Sequence, residues 1–135
     1  MKRTKLKRVS QRQKIIKQID NLLLVKLKQE RGDICEIHNK KCSRIGKMHI
    51  LSKGKYPRIR FNSFNIILAG WFCSHFWTHH DSEDARAIFT KKRIIELRGK
   101  DYKEQLLILD KTSPKLTMCY LKTYLEALQN ESPHS

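Results

Sequence analysis

Between Gln13 and Arg31 the apolar residues Ile15, Ile16, Ile19, Leu22, Leu23 and Leu27 return at three- and four-residue intervals, with lysines between them. That stripe predicts an amphipathic helix, and Gly32-Asp33 predicts its end. Residues 34–80 lose the helical period. They are glycine-punctuated and rich in Cys, His and aromatics, and two short apolar runs, Met48 to Leu51 and Phe64 to Leu68, predict the strands of a hairpin. Helical spacing returns at Ser82, an N-cap residue followed by Glu83 and Asp84. It continues through Ala85, Ile88, Phe89, Ile94, Ile95 and Leu97 toward Gly99, with a break expected near Thr90. Residues 101–109 and 115–129 predict two further helices, split by Thr112-Ser113-Pro114. The fold class expected is α+β: a basic arm at 1–13, a central domain at 14–110, and a C-terminal helix and tail at 111–135, with no internal repeat.

Charge sharpens this picture. Among 135 residues, 29 are Lys or Arg and 13 are Asp or Glu, a formal charge of +16. A charge that large repels itself in the compact state, whereas a balanced surface keeps a protein in solution with much less. A polyanionic partner is therefore expected, nucleic acid first. A membrane partner is not, because the apolar stretch at 19–27 contains Asp20, Asn21 and Lys26 and is too short to span. It has no small-residue cleavage site either, so the expected location is the cytoplasm, where thiols stay reduced. Cys35, Cys42, Cys73 and Cys119 then read as metal ligands or core residues, not as disulfides.

All but one of the six histidines and all but one of the four cysteines lie between residues 35 and 80. Cys35-x2-His38 makes a plausible first half of a tetrahedral zinc knuckle. The second half is irregular. Cys73 has Gly70 where a partner cysteine would stand, leaving His75 or Cys42 to complete the structural Zn²⁺ site. The alternative is a degenerated knuckle packed with Trp71 and Phe72. Around the cluster stand His49 on the first predicted strand, Asn65 at the second, and His79-His80-Asp81 beyond Cys73. A metal-assisted nuclease needs a His to take a proton from water, an amide to hold the loop, and a ligand for a divalent ion. His49, Asn65 and His79 occur in that order. A lone His is usually a satisfied structural residue, and it is the joint occurrence that points to chemistry.

This region resembles the HNH (ββα-metal) endonucleases, most of all the phage NinG (Rap-like) recombination endonucleases. These share a basic N-terminal helix, a zinc knuckle, a "GHF-x-S-x-G" strand, an "R-[FW]-D-x-x-N" segment and a "Y-G-x-x-Y" region. The matching residues are His49, Ser52 and Gly54, then Arg60, Phe61 and Asn65, then Cys73, and more loosely Arg98-Gly99-x-x-Tyr102. The likeness spans roughly residues 30–109, and the run from Arg60 through Asn65 to Cys73 follows the pattern without a gap. It implies a small ββα-metal module with a zinc-knuckle-like cluster, between a basic N-terminal helix and C-terminal helices. It also implies that His49 is the general base, Asn65 the loop-orienting amide, and His79 or His80 a ligand of catalytic Mg²⁺ or Mn²⁺, with Asp81 a further candidate. Met48 stands where many HNH sites carry a metal-binding Asp, and Gly70 and His38 replace knuckle cysteines.

DNA contacts are expected from Lys2, Arg3, Lys5, Lys7, Arg8 and Arg12 of the arm and from Lys53, Lys55, Arg58 and Arg60 of the loop, which bind phosphate without reading sequence. Tyr56 and Trp77 are candidates to stack on unpaired bases, although core packing explains Trp77 better. The reading is a divalent-metal-dependent endonuclease acting on branched or single-stranded DNA recombination intermediates, in a host's cytoplasm if phage-encoded. The rival is a non-catalytic nucleic-acid-binding protein on a degenerate HNH scaffold. A third possibility is a basic component of a larger assembly. Its apolar faces at 22–27 and 116–128 would then pack on a protein partner, or a homodimer would form through the C-terminal helix.

Overall fold

The computed structural model describes residues 9–74 and 85–131. The first helix, α1 (Gln11–Arg31), buries Ile15, Ile19, Leu23 and Leu27, one residue per turn along a single face. It starts two residues earlier than its apolar stripe. The Ser10 hydroxyl accepts from the Gln13 amide while the Gln13 side chain accepts from the Ser10 amide, a reciprocal capping box. Gly32, at φ 90°, ends it with an N–H donated to the Lys28 carbonyl.

Strands β1 (Gly46–His49) and β2 (Ile66–Ala69) form an antiparallel pair in the register Gly46↔Ala69, Lys47↔Leu68, Met48↔Ile67, His49↔Ile66. β1 lies two residues nearer the N-terminus than its apolar run. Beyond His49 the ladder gives way to other bonds: the Ile50 amide reaches the Asn65 carbonyl, and Leu51 pairs with the Asn65 side chain. The side-chain alternation of β2 divides the core. Ile66 and Leu68 pack with α1 and the C-terminal helix, while Ile67 and Ala69 pack with Met48, the Cys35 loop and the helices after residue 85. The hairpin is thus a two-stranded middle layer with helices on both faces. All four residues of β2 are buried.

After a helical turn at 71–74, three more helices follow: α2 (Ala85–Arg98), α3 (Tyr102–Thr112) and α4 (Met118–Glu131). α2 runs unbroken through Thr90, correcting the break expected there: Thr90 is buried on the same face as Ala87 and Ile94. The N-cap expected at Ser82 lies outside the described residues. α4 packs along α1, burying Leu121 and Leu128, and Lys26 pairs with Glu131 at 2.8 Å. The apolar faces at 22–27 and 116–128 therefore pack on each other within the chain.

Candidate metal centre and the His49 cleft

The loop at 32–42 is laid against the outer edge of β2. The Glu36 amide donates to the Leu68 carbonyl at 2.7 Å, and the Glu36 carboxylate accepts from the Leu68 amide at 2.9 Å. Three arginines fix this junction. Arg31 reaches the carbonyls of Ser63 and Ile66, Arg98 those of Phe64 and Ile66, and Arg93 that of Glu36. Cys35 is thereby delivered beside Cys73, which follows β2.

There the ligand atoms of Cys35, His38, Cys42 and Cys73 lie within 4.8 Å of one another. Sγ–Sγ is 3.5 Å for Cys35 and Cys73, and His38 Nδ1 stands 3.1 Å from Cys73, 3.8 Å from Cys35 and 4.0 Å from Cys42. A tetrahedral zinc with thiolates at about 2.3 Å needs sulphur–sulphur edges of about 3.8 Å. The cluster meets that spacing, with His38 offering Nδ1. Its chemistry fits as well. Burial pushes the Cys35 thiol up, but hydrogen bonds from the Gly70 and His38 amides outweigh it and bring Cys35 down to about 7. Burial and the neighbouring Cys35 push Cys73 up. Such a set releases its remaining protons when a cation enters. Phe89 of α2 stacks on the His38 ring, centroids 5.4 Å apart, and holds its plane.

Gly70 explains the irregular motif. A Cβ at position 70 would sit 2.7 Å from Cys42 Cβ and 3.7 Å from Cys42 Sγ. Cys42 fills the space that a cysteine at 70 would take and offers the fourth candidate ligand atom from the neighbouring loop. Of the two expected completions, Cys42 is in the cluster; His75 lies outside the described residues.

His49 ends β1, half-buried, and its Nε2 lies 2.8 Å from the Arg60 carbonyl. A carbonyl only accepts, so Nε2 carries the proton and Nδ1 of the neutral ring carries the lone pair. Burial lowers the His49 pKa; the Arg60 hydrogen bond opposes this, Lys53 and Lys47 reinforce it, and Asp20 opposes it weakly. The neutral form of the ring is favoured. Asn65, fully buried, accepts from the Leu51 amide at 2.8 Å and donates to the Leu51 carbonyl at 3.1 Å, pinning the loop that follows His49. Ser52 Oγ accepts from the Gly54 and Lys55 amides and shapes the next turn. His49 opens onto a cleft of about 590 Å³ lined by Lys47, Met48, Ile50, Ser52, Lys53, Ser74 and Lys103.

The basic residues divide into two groups. Lys53 and Lys55 are exposed on the loop, with Arg58 half-buried beside them. Arg60, expected as a phosphate contact, instead turns inward: its guanidinium meets Asp20 of α1 at 3.2 Å, and the same carboxylate binds Lys47 at 2.7 Å. Arg12, expected in the arm, lies in α1 and donates to the Leu116 carbonyl. These two side chains answer acceptors of the fold itself. Lys2, Arg3, Lys5, Lys7 and Arg8, together with His79, His80, Asp81 and Trp77, lie outside the described residues. The Asp20 bridge and the Arg31–Arg98 clamp are the structural supports that sequence reasoning missed; Asp20, an acid in the middle of a basic helix whose other acid is Glu30 near its end, was the available signal. Among the described residues no helix is long and apolar enough to cross a membrane. No protein-family model, curated protein or solved structure matches the chain.

Proposed function

We propose that the protein is an HNH-type endonuclease that hydrolyses DNA phosphodiesters, with branched or single-stranded recombination intermediates as substrates. The observation that carries the reading is the setting of His49: an imidazole at the end of β1, its Nε2–H held by a backbone carbonyl, beside a loop pinned by Asn65, with burial lowering its pKa. A general base must be unprotonated at working pH and fixed in orientation; the lowered pKa and the Arg60 hydrogen bond support both.

In this reading His49 Nδ1 takes a proton from water, the water oxygen bonds to phosphorus, and the P–O3′ bond breaks. The departing oxygen takes a proton from solvent, leaving 5′-phosphate and 3′-hydroxyl ends. Asn65 is a positioning residue that acts through the 50–52 backbone. A divalent cation such as Mg²⁺ or Mn²⁺, when bound, supplies positive charge to the scissile phosphate; its proposed ligands are His79 or His80 with Asp81. Zn²⁺ at Cys35, His38, Cys42 and Cys73 is structural, since all four positions are taken by protein ligands.

The test is cleavage of labelled duplex, single-stranded, flap and four-way-junction DNA in Mg²⁺, Mn²⁺ or EDTA. Metal-dependent cleavage that His49→Ala removes, with DNA affinity unchanged, is the expected result. Binding without cleavage in any metal sinks the nuclease reading and favours the non-catalytic DNA- or RNA-binding alternative.

A further inference from the structure

The cleft beside His49 has a one-sided chemistry. Its described lining includes three lysines, two serines and His49, and no carboxylate. Lys47 is already paired with Asp20 at 2.7 Å. Lys53 and Lys103 are exposed and come from separate elements that both line the cleft, the first from the inter-strand loop and the second from the first turn of α3. Lys103 stands where a cation is repelled by the positive pole of its own helix, so helix stability gives no reason for it. Hard divalent cations seek carboxylate oxygens, and Met48 lines the cleft where an acid would offer one. The donors that are present, two ammonium groups and the Ser52 hydroxyl, suit an anion of phosphate size.

We propose that this cleft is a phosphate-binding subsite in which Lys103 and Lys53, brought to one cleft from two elements, together hold one DNA phosphate next to His49, without needing a metal ion. The inference rests on the nuclease reading for its biological meaning, but its physical content, phosphate captured by Lys103, stands separately. Lys103 becomes a substrate-binding residue that no motif pointed to. Its charge adds to whatever a divalent ion supplies and keeps DNA docked when that ion is absent.

The experiment titrates inorganic phosphate, then a 5′-phosphorylated thymidine dinucleotide, into the protein in EDTA and follows the His49 ring protons by NMR. Lys103→Gln and Lys53→Gln are compared with Lys103→Arg and with Lys111→Gln, which removes one charge from the far end of α3. Hydrogen bonds to charged groups are worth enough that losing one weakens binding about tenfold. The expected pattern is therefore a tenfold loss for Lys103→Gln, near-complete recovery in Lys103→Arg, and less than about a twofold loss for Lys111→Gln, the effect of long-range charge alone. Equal losses for Lys103→Gln and Lys111→Gln would overturn the subsite, as would phosphate that leaves His49 unmoved. The two readings separate cleanly. Phosphate bound through Lys103 with no cleavage in any metal removes the nuclease but keeps the subsite. Metal-dependent cleavage that is unaltered in Lys103→Gln removes the subsite but keeps the nuclease.

Discussion

Two side chains carry the candidate site, and each does something a substitution can isolate. Asn65 satisfies both backbone groups of Leu51 from a fully buried position. Asn65→Ala leaves an amide and a carbonyl unpaired in the interior, so a loss of about 2–4 kcal/mol is expected in urea unfolding. Cleavage should fall further than stability alone accounts for, because the loop after His49 loses its anchor. His49 sets the pH dependence. Its pKa lies below the ordinary 6.5 because burial disfavours the imidazolium, with Lys53 and Lys47 acting the same way against the Arg60 carbonyl and Asp20. The proposed cleavage should stay level as pH falls through 6.5 and decline only below it, when the base protonates. Stability has the same sign. The unfolded chain takes up this proton near 6.5 and the folded chain only at lower pH, so folding weakens as pH drops from about 6.5 toward the folded value. NMR titration of the His49 ring checks both, and a midpoint at or above 6.5 would count against them.

At the scale of elements, the Cys35, His38, Cys42 and Cys73 cluster, which could hold a metal ion, joins the 32–42 loop to the chain just after β2. The geometry at Gly70 makes its ligand set testable. Cys42→Ser should weaken zinc binding at least as much as loss of an outer-shell partner does, about 10–100-fold. Gly70→Cys alone drives a Cβ to 2.7 Å from Cys42 Cβ and should destabilise the loop. Gly70→Cys combined with Cys42→Gly removes that clash and returns a thiol to the same space, so one zinc per chain should persist. Zinc content by metal analysis, with melting before and after chelation, decides. Loss of zinc in the double variant would show that position 70 cannot replace 42. This centre was half legible in the sequence. Cys35-x2-His38 and Cys73 stood out by spacing, but the choice between Cys42 and His75 depends on how the loop folds back on β2 through Glu36, an interaction that no local pattern encodes. The helices were legible where apolar residues repeat every three to four positions. The start of α1 was legible too, in the Ser10-x-x-Gln13 capping box, which the apolar stripe obscured. The end of β1 was not, because Asn65 bonds to Leu51 as a strand would and extends the apolar run past the true ladder.

For the whole molecule, the formal charge of +16 overstates what faces a polyanion. Arg31, Arg93 and Arg98 answer carbonyls at the knuckle junction, and Lys47 and Arg60 answer Asp20 across the α1–hairpin interface. Sequence alone does not distinguish these from the exposed lysines, since a charge run looks the same whether it points at solvent or at an acid on another element. The distinction has opposite consequences in two measurements. Removing the exposed loop charge of Lys55, with Lys55→Gln, should leave melting unchanged. It should flatten the dependence of DNA affinity on salt by about 0.7–0.9 in log–log slope for each phosphate that the protein no longer neutralises. Arg60→Gln should leave that slope untouched and lower stability. Asp20→Ala, which strands two cations with side chains only 9% and 17% exposed, should cost more, about 2–3 kcal/mol. Fluorescence anisotropy from about 50 to 200 mM salt spans the range in which several neutralised phosphates change affinity by orders of magnitude. If Arg60→Gln flattened the slope as much as Lys55→Gln, Arg60 would be reaching DNA by breaking from Asp20, and α1 and the hairpin would have to part when the protein binds.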